Sequence, residues 1–210
     1  MRCLPVGTDS LLVEVADVKE ATALYAEARR RDTRAVDIVP AARTVLFAGV
    51  ADVPGLIQDV EAWPLSRSSI GTGRHVEVPT KYNGGDLDAV ARLWDMTTHE
   101  VVDTHTSCEL VVAFCGFAPG FAYCTRLPDG LSVPRLATPR TKVPVGSVGL
   151  ASEFTGVYPT ASPGGWQLIG RTDLVLWDET RDDPATLSPG STVHFIEVTS
   201  VEVTSVEVDP

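Results

Sequence analysis

The second half of the chain is a series of short apolar segments separated by proline and glycine, and this pattern restricts the fold more than any other feature. The clearest segments are ELVVAF, SVGLAS, TGVYP, WQLIG, LVLWD and TVHFIEV, which run from Glu109 onward. Each has the length and composition of a strand. Many short strands with Gly/Pro turns are typical of a β-barrel or a β-sandwich.

The first part of the chain alternates strands with helices. LLVEV, AVDIV, TVLFAG and RHVEV predict four strands. Asp17 and Asp52 are placed to cap two helices, and Glu20 completes a capping-box pattern at the first. The resulting order, β-α-β-β-α-β, is that of the ferredoxin-like split motif, a small sheet with both helices on one face.

A composition break at PTKYNGG separates the two parts. We therefore predict an α+β protein with a ferredoxin-like α/β domain over residues 1–80 and a β-barrel domain over residues 81–210. Two short helices precede the barrel strands: DLDAVARLW and Thr98–Thr104, the second with a Thr97–Glu100 capping box.

One predicted barrel strand ends in a tightly specified corner, FCGFAPGFAY at positions 114–123. Pro119 and Gly120 occupy the central positions of a predicted type II turn, since proline presets φ at the first and glycine accepts positive φ at the second. Gly116 is predicted to let the backbone bend or approach another chain closely. We expect the aromatic rings of the stretch to pack around this corner.

Positive charge is concentrated shortly after the corner, although the whole chain has a formal net charge of -11. Arg135, Arg140 and Lys142 lie among the prolines of PRLATPRTKVP. A stiff cationic loop beside an aromatic corner predicts a pocket for a carboxylate or a phosphate. The glycine turn Gly164–Gly165 offers successive backbone N–H groups for the same purpose, and Arg171 follows it. The alternative is a set of surface cations and an ordinary hairpin turn.

His105 closes a predicted helix just before a long strand and is the histidine best placed for a site; the alternative is a structural histidine. No histidine pair has zincin spacing and no cysteine pair forms a CxxC motif, so we predict no metal site. The four cysteines are predicted to be buried thiols: Cys3, Cys108, Cys115 and Cys124.

Charge and missing motifs argue against several classes of protein. The acidic balance disfavours binding to nucleic acid or to an anionic membrane surface. The chain lacks GxxxxGK[ST], GxGxxG and GxSxG, which disfavours an autonomous kinase, an NAD enzyme or an ordinary serine hydrolase. Without a signal-peptide pattern or an apolar run of about 18 residues, we expect a cytoplasmic protein. The repeated tail EVTSVEVTSVEV predicts an extended or frayed terminal strand.

Several long motifs, found in the same order, resemble one known family, the B subunit of the prokaryotic 5-oxoprolinase. They are GFAPGFAY, PRLATPRTKVPVGSVGLA, TGVYPTASPGGWQLIGRT and the PG-x-x-V-x-F ending at Phe195, together with Tyr82, Gly84, Asp86, Leu87 and His105. The family is also called allophanate hydrolase subunit 1 and includes Kip-type inhibitors of a sporulation histidine kinase. Two positions depart from its pattern: Phe154 stands where glutamine is usual, and Cys124 where leucine is common.

The resemblance implies an N-terminal α/β domain followed by a C-terminal cyclophilin-like β-barrel. It also implies two partners, the homologous cyclophilin-like C subunit and the A subunit of 5-oxoprolinase. The assembled complex of that family uses ATP to open the lactam of 5-oxo-L-proline and release L-glutamate. We expect this chain to be inactive alone and to bind no cofactor by itself.

On this interpretation, Arg135, Arg140 and Lys142 hold an anionic group, and His105 and Tyr123 line the site. Two other functions fit the same resemblance. One is a regulatory module that occludes a histidine kinase, with the corner as its interface. The other is a component of a urea- or allophanate-processing enzyme, which differs only in its substrate.

Overall fold

A computed structural model describes residues 1–65 and 73–199 of the chain. The chain divides into two compact units, Met1–Thr72 and Gly73–Pro210. The predicted terminal strand of the tail repeat lies outside the described residues from position 200 onward.

The first unit is a four-stranded antiparallel sheet with two helices. Its elements are β1 (Arg2–Val6), β2 (Ser10–Glu14), α1 (Val18–Arg30), β3 (Asp37–Pro40), β4 (Thr44–Ala48) and α2 (Val53–Ala62), and the strand order is β1-β2-β4-β3. Both predicted helix caps are confirmed: the Asp17 carboxylate accepts from the N–H of Glu20 at 2.8 Å, and that of Asp52 accepts from the N–H of Gly55 at 2.9 Å.

The second unit is built on a seven-stranded sheet that is nearly closed into a barrel. Its elements are β5 (His75–Thr80), α3 (Leu87–Trp94), α4 (Thr98–Ser107), β6 (Leu110–Cys115), β7 (Ala122–Thr125), β8 (Arg140–Val143), β9 (Ser147–Ala151), β10 (Phe154–Val157), β11 (Ser162–Gly164), β12 (Gln167–Arg171) and β13 (Thr192–Glu197). The strand order is β12-β9-β10-β7-β6-β13-β5, with β8 and β11 as a separate ribbon. Lys81, just after β5, and Arg171 of β12 exchange backbone hydrogen bonds of 2.8 and 2.9 Å, which joins the two edges.

Strand β5 corrects the predicted split motif. The sequence predicts this strand as the last one of the first sheet, but it pairs in parallel with β13 and belongs to the second unit. The edge beside β2 is occupied by β1, which was not predicted. The segment RCLPV has a proline at its fourth position and no regular alternation, so it gave no strand signal. The predicted strand LVLWD is also wrong, since its segment forms only an isolated bridge at Trp177.

The two faces of the barrel sheet carry different cores. The inner face holds the larger one, to which α3 and α4 contribute Val90, Trp94 and Val101. The outer face holds a smaller cluster, over which the ribbon places Val143. Because alternate residues of a strand point to opposite faces, Cys124 of β7 lies in the inner core and Tyr123 packs on the outer cluster.

The four cysteines are free thiols, with Cys108 and Cys124 buried and Cys3 and Cys115 half-buried. Across residues 1–65 and 73–199, every helix is too short or too polar to span a bilayer.

Candidate functional site

The corner of FCGFAPGFAY contains the predicted tight turn. The N–H of Phe121 donates to the carbonyl of Ala118 at 3.0 Å, and Gly120 has φ of 81°. A Cβ at Gly116 would meet nothing within 4 Å, so no close contact within this chain requires glycine at that position. The positive φ before the turn falls on Phe117, at 74°, a conformation that costs energy for a residue with a Cβ.

The rings around the corner form an aromatic cluster with Phe121 near its centre. The centroid of the Phe121 ring lies 5.0 Å from that of Tyr123 and 5.3 Å from that of Tyr158. The Trp166 ring also lies 5.3 Å from Phe121. Phe154, the departure from the family pattern, packs against Tyr123 at 5.9 Å. The cluster therefore provides an apolar floor that carries two phenolic hydroxyls.

Arg135 is the predicted cation that lies beside this cluster. Burial raises the pKa of Tyr123 and of Tyr158, and the positive charge of Arg135 partly offsets that rise in both. The loop that carries Arg135 is hydrogen-bonded to Gly165 and Gln167, the two residues that flank Trp166 of the cluster, while the Arg135 side chain remains exposed. Since both phenols have pKa values above their ordinary value of 10, they stay protonated at neutral pH and can donate hydrogen bonds.

The backbone on both sides of Arg135 is anchored. The carbonyl of Pro134 accepts a hydrogen bond from Nε2 of Gln167 at 3.2 Å. The N–H of Leu136 donates to the carbonyl of Gly165 at 2.7 Å. These two contacts connect the loop that carries Arg135 to the segment between β11 and β12.

The predicted glycine turn reaches the same site, but it supports the aromatic cluster. A Cβ on Gly164 would lie 2.2 Å from the hydroxyl oxygen of Tyr158, so glycine permits the close packing of this turn against the ring. The backbone of Trp166 hydrogen-bonds the same hydroxyl, which partly offsets the rise that burial causes in the pKa of Tyr158. The carbonyl of Gly165 accepts a hydrogen bond from the N–H of Leu136. A carbonyl is an acceptor, whereas an anion needs donors.

Arg140, which is predicted to hold an anionic group, forms an ion pair within the protein. Its Nη2 donates to both carboxylate oxygens of Asp86, at 2.7 and 2.8 Å. Its Nη1 donates to the carbonyl of Trp166 at 3.2 Å. The guanidinium therefore already has an anionic partner inside the protein.

Lys142 and Arg171 lie apart from the aromatic cluster. Lys142 is exposed on β8, where alternation directs it away from the face of Val143, which packs on the cluster. Arg171 ends β12 at the barrel closure and pairs with Asp173 at 3.3 Å. Neither supports the predicted pocket in this structure.

His105 lies inside the barrel, on the other side of the sheet from Tyr123. Its side chain is 0% exposed. Its Nδ1 is 2.6 Å from the hydroxyl of Tyr82 and its Nε2 is 2.9 Å from Oγ1 of Thr155. Burial lowers the pKa of His105 to about 3, so the imidazole is neutral. The alternative of a structural histidine fits this position, and the predicted pairing of His105 with Tyr123 does not.

The buried imidazole makes stability depend on pH. The unfolded chain gains a proton at His105 below pH 6.5, whereas the folded chain stays neutral down to about pH 3. The buried imidazole therefore costs no stability above pH 6.5. The free energy of unfolding falls as the pH drops from 6.5 towards 3, and the loss is about 2 kcal/mol at pH 5. We expect His105→Gln to remove most of that loss in urea unfolding at pH 7 and pH 5. His99→Gln is the control because the His99 side chain is 80% exposed, and an unchanged pH dependence in His105→Gln would contradict the assignment.

Four residues of this region were given no role from the sequence: Tyr158, Trp166, Asp86 and Gln167. Tyr158 and Trp166 stand inside quoted motifs, TGVYP and SPGGW, and the aromatic side chain beside each turn was the available signal. Asp86 was noticed only as part of the family pattern. Nothing in the local sequence pairs it with Arg140.

The arrangement suits recognition of a small acid. One guanidinium can hold a carboxylate and the neutral phenol of Tyr123 can donate to a carbonyl oxygen, over an apolar floor. In the part of the chain that the structure describes, no cluster of three His, Cys, Asp or Glu residues could hold a metal ion.

Comparison with known proteins identifies a family and several relatives. Residues 1–187 match the family model described as carboxyltransferase domain, subdomain C and D. A protein of Escherichia coli O157:H7, named as the B subunit of 5-oxoprolinase, is 47% identical over 137 residues, which cover 64% of this chain and 63% of that protein. A protein of the same name in Haemophilus influenzae is 36% identical over 207 residues, which cover 93% of this chain and 97% of that protein. A third protein of that name, from Bacillus subtilis, is 43% identical over 60% of this chain and 54% of its own length.

Solved structures share the fold over nearly the whole chain. The crystal structure of TTHA0988 superposes with a TM-score of 0.75 at 28% identity and covers 97% of this chain. The chain spans 42% of TTHA0988.

A shorter sequence match is to the urea amidolyase of Lachancea kluyveri. It is 34% identical over 30% of this chain and covers 4% of that protein.

Proposed function

The chain belongs to the family of the carboxyltransferase domain, subdomain C and D, and from this membership we propose that it is the B subunit of a 5-oxoprolinase. The observation that carries the proposal is the shared name of the relatives in three bacteria, one of them aligned over 93% of this chain. In this function the chain contributes to ATP-dependent opening of the lactam of 5-oxo-L-proline to L-glutamate. It acts as one part of a hydrolase complex and is inactive alone.

The partners of this proposal are the homologous cyclophilin-like C subunit and the A subunit of the enzyme. In support, this chain spans only part of the TTHA0988 chain, so its fold also occurs joined to further sequence. The two units of the chain then take the family roles of a ferredoxin-like α/β domain and a cyclophilin-like barrel. The strand order of the first sheet is compatible with this assignment, with β1 in the place predicted for β5.

The proposed substrate has chemistry that matches the site around Arg135. 5-Oxoproline has a carboxylate, which a guanidinium binds through paired hydrogen bonds, and a lactam carbonyl, which accepts from a phenol. We assign the carboxylate to Arg135 and the lactam oxygen to Tyr123. A lactam is a poor electrophile, so ATP is needed to phosphorylate its oxygen, with release of ADP. Water then adds to the activated carbon, and the ring C–N bond breaks as the nitrogen takes up a proton. The resulting acyl phosphate of glutamate reacts with a second water to give L-glutamate and phosphate. Donors aimed at the developing negative charge lower the barrier of such a step.

The proposal is tested by co-expressing the chain with its two partners and measuring 5-oxoproline-dependent ATP hydrolysis. We expect turnover in the assembled complex and none with the chain alone. Turnover that depends on urea or allophanate would reassign the substrate. An assembled complex that hydrolyses ATP with none of these compounds would overturn the proposal.

Arg135→Ala is expected to lower kcat/KM of the complex at least tenfold, which corresponds to about 1.4 kcal/mol of lost binding to the substrate carboxylate. The control is Arg171→Ala, which removes an exposed arginine already paired with Asp173. Both variants should unfold at the same temperature as the parent. Full activity in a properly assembled Arg135→Ala complex would remove Arg135 from the site.

A further inference from the structure

An ion pair between Asp86 and Arg140 connects the α3 N-terminus to the loop that carries Arg135. One guanidinium nitrogen, Nη2, lies 2.7 and 2.8 Å from the two carboxylate oxygens. The Asp86 side chain is 12% exposed and that of Arg140 is 31% exposed. The pair is therefore partly shielded from water, where a charge interaction is stronger than at an open surface.

The same two side chains also hold the start of β12. Nη1 of Arg140 donates to the carbonyl of Trp166 at 3.2 Å. The N–H of Leu168 donates to Oδ2 of Asp86 at 2.6 Å. One ion pair thus binds the backbone of the Trp166–Leu168 segment at two points, the carbonyl of Trp166 and the N–H of Leu168.

That segment in turn fixes the loop on both sides of Arg135. Its middle residue, Gln167, binds the carbonyl of Pro134, and Gly165, just before it, accepts from the N–H of Leu136. Residues 134–139 form no helix or strand, so their conformation depends on these few contacts. A shift of the Trp166–Leu168 backbone would move both anchors of Arg135 together.

A role in positioning also explains why charged groups occupy this place. A partly buried ion pair is often no more stabilising than well-packed apolar side chains of similar volume, because both charges lose water. The ion pair instead fixes local geometry. Its four hydrogen bonds hold one carboxylate, one carbonyl and one N–H in set positions relative to each other.

We propose that Asp86 and Arg140 are positioning residues, which hold Arg135 at the aromatic cluster without touching the substrate. This inference rests on the proposed function, in which Arg135 binds the substrate carboxylate. Arg140, predicted from sequence to bind the anion itself, would then act through its neighbour Arg135.

The test uses Asp86→Asn in the assembled complex, with KM for 5-oxoproline and kcat measured separately. The substitution keeps the shape of the side chain and removes its charge. We expect KM to rise about tenfold with kcat within about twofold of the parent, because misplacing Arg135 weakens substrate binding and transition-state binding equally. Asp88→Asn, an exposed aspartate two residues along the chain, is the control and should leave both constants unchanged.

A double variant separates positioning from a merely structural role. If Asp86 acts through Arg135, KM of Asp86→Asn with Arg135→Ala should equal that of Arg135→Ala alone, since residues that act as a unit are not additive. Additive increases, or a lower kcat at unchanged KM, would overturn the positioning role. If Arg135→Ala itself leaves kcat/KM unchanged, the proposed role of Arg135 fails and the positioning proposal falls with it.

Arg140→Lys keeps the proposal testable if Asp86→Asn fails to fold. Lysine retains the positive charge but cannot reach the carboxylate and the Trp166 carbonyl with a planar fork. We expect the same rise in KM at unchanged kcat, and a normal KM would overturn the proposal.

Discussion

Gly84→Ala is expected to destabilise the second unit by about 3 kcal/mol or more, because its Cβ would overlap main-chain atoms that have no room to move. At Gly84 a Cβ would lie 2.2 Å from the carbonyl oxygen of Leu168 and 2.4 Å from the carbonyl carbon of Ile169. The N–H of Gly84 donates to the Ile169 carbonyl at 3.1 Å, so the added methyl group must break this contact. Urea unfolding followed by tryptophan fluorescence measures the loss.

The neighbouring glycine provides a matched control. A Cβ at Gly85 would meet nothing within 4 Å, and its φ does not lie in the left-handed region. Gly85→Ala should therefore change the free energy of unfolding by less than about 0.5 kcal/mol. Equal effects of the two substitutions would show that the contact between the loop and β12 is not tight.

Gly164→Ala is expected to cost about 3 kcal/mol and to disturb the candidate site. The new methyl group would lie 2.2 Å from the Tyr158 hydroxyl oxygen and 2.9 Å from the ring carbon that bears it. The Tyr158 ring is 1% exposed and packs edge-on against Phe121, so it has no free direction in which to retreat. We expect a lower midpoint in thermal unfolding and a changed near-UV circular dichroism signal from the aromatic cluster.

Gly165→Ala is the control for this second change. The nearest atoms to a Cβ at Gly165 are the carbonyl oxygen of Leu136 at 3.5 Å and Pro139 at 3.7 Å, which is ordinary contact. We expect a small effect there. A thermal midpoint equally low in both variants would mean that the turn responds to any loss of glycine, whatever its distance from Tyr158.

Features determined by a few neighbouring residues could be predicted from the sequence. The caps at Asp17, Asp52 and Thr97 form because a short polar side chain can reach an N–H three residues ahead, which is a local interaction. The turn at Pro119–Gly120 follows from the φ preferences of those two residues.

Features determined by distant pairings could not be predicted in this way. The strand pattern of β5 is correct, but which sheet it joins depends on β13, at the other end of the unit. The charge of Arg140 is visible in the sequence, whereas its neutralisation by Asp86 depends on the fold. The separation of His105 from Tyr123 has the same origin. The two residues lie on opposite faces of a sheet, and no local sequence pattern indicates how that sheet closes.

The pairing of β5 with β13 has a consequence for how the chain is made. Once Ala48 has left the ribosome, all four strands of the first sheet are present, but the barrel must wait for Thr192–Glu197, which insert between β5 and β6. Such non-local pairing slows folding and leaves strand edges open meanwhile. A nascent chain stalled before Thr192 would therefore expose the edges of β5 and β6 to proteases and chaperones. Protection of these edges from aggregation begins only when β13 pairs with them.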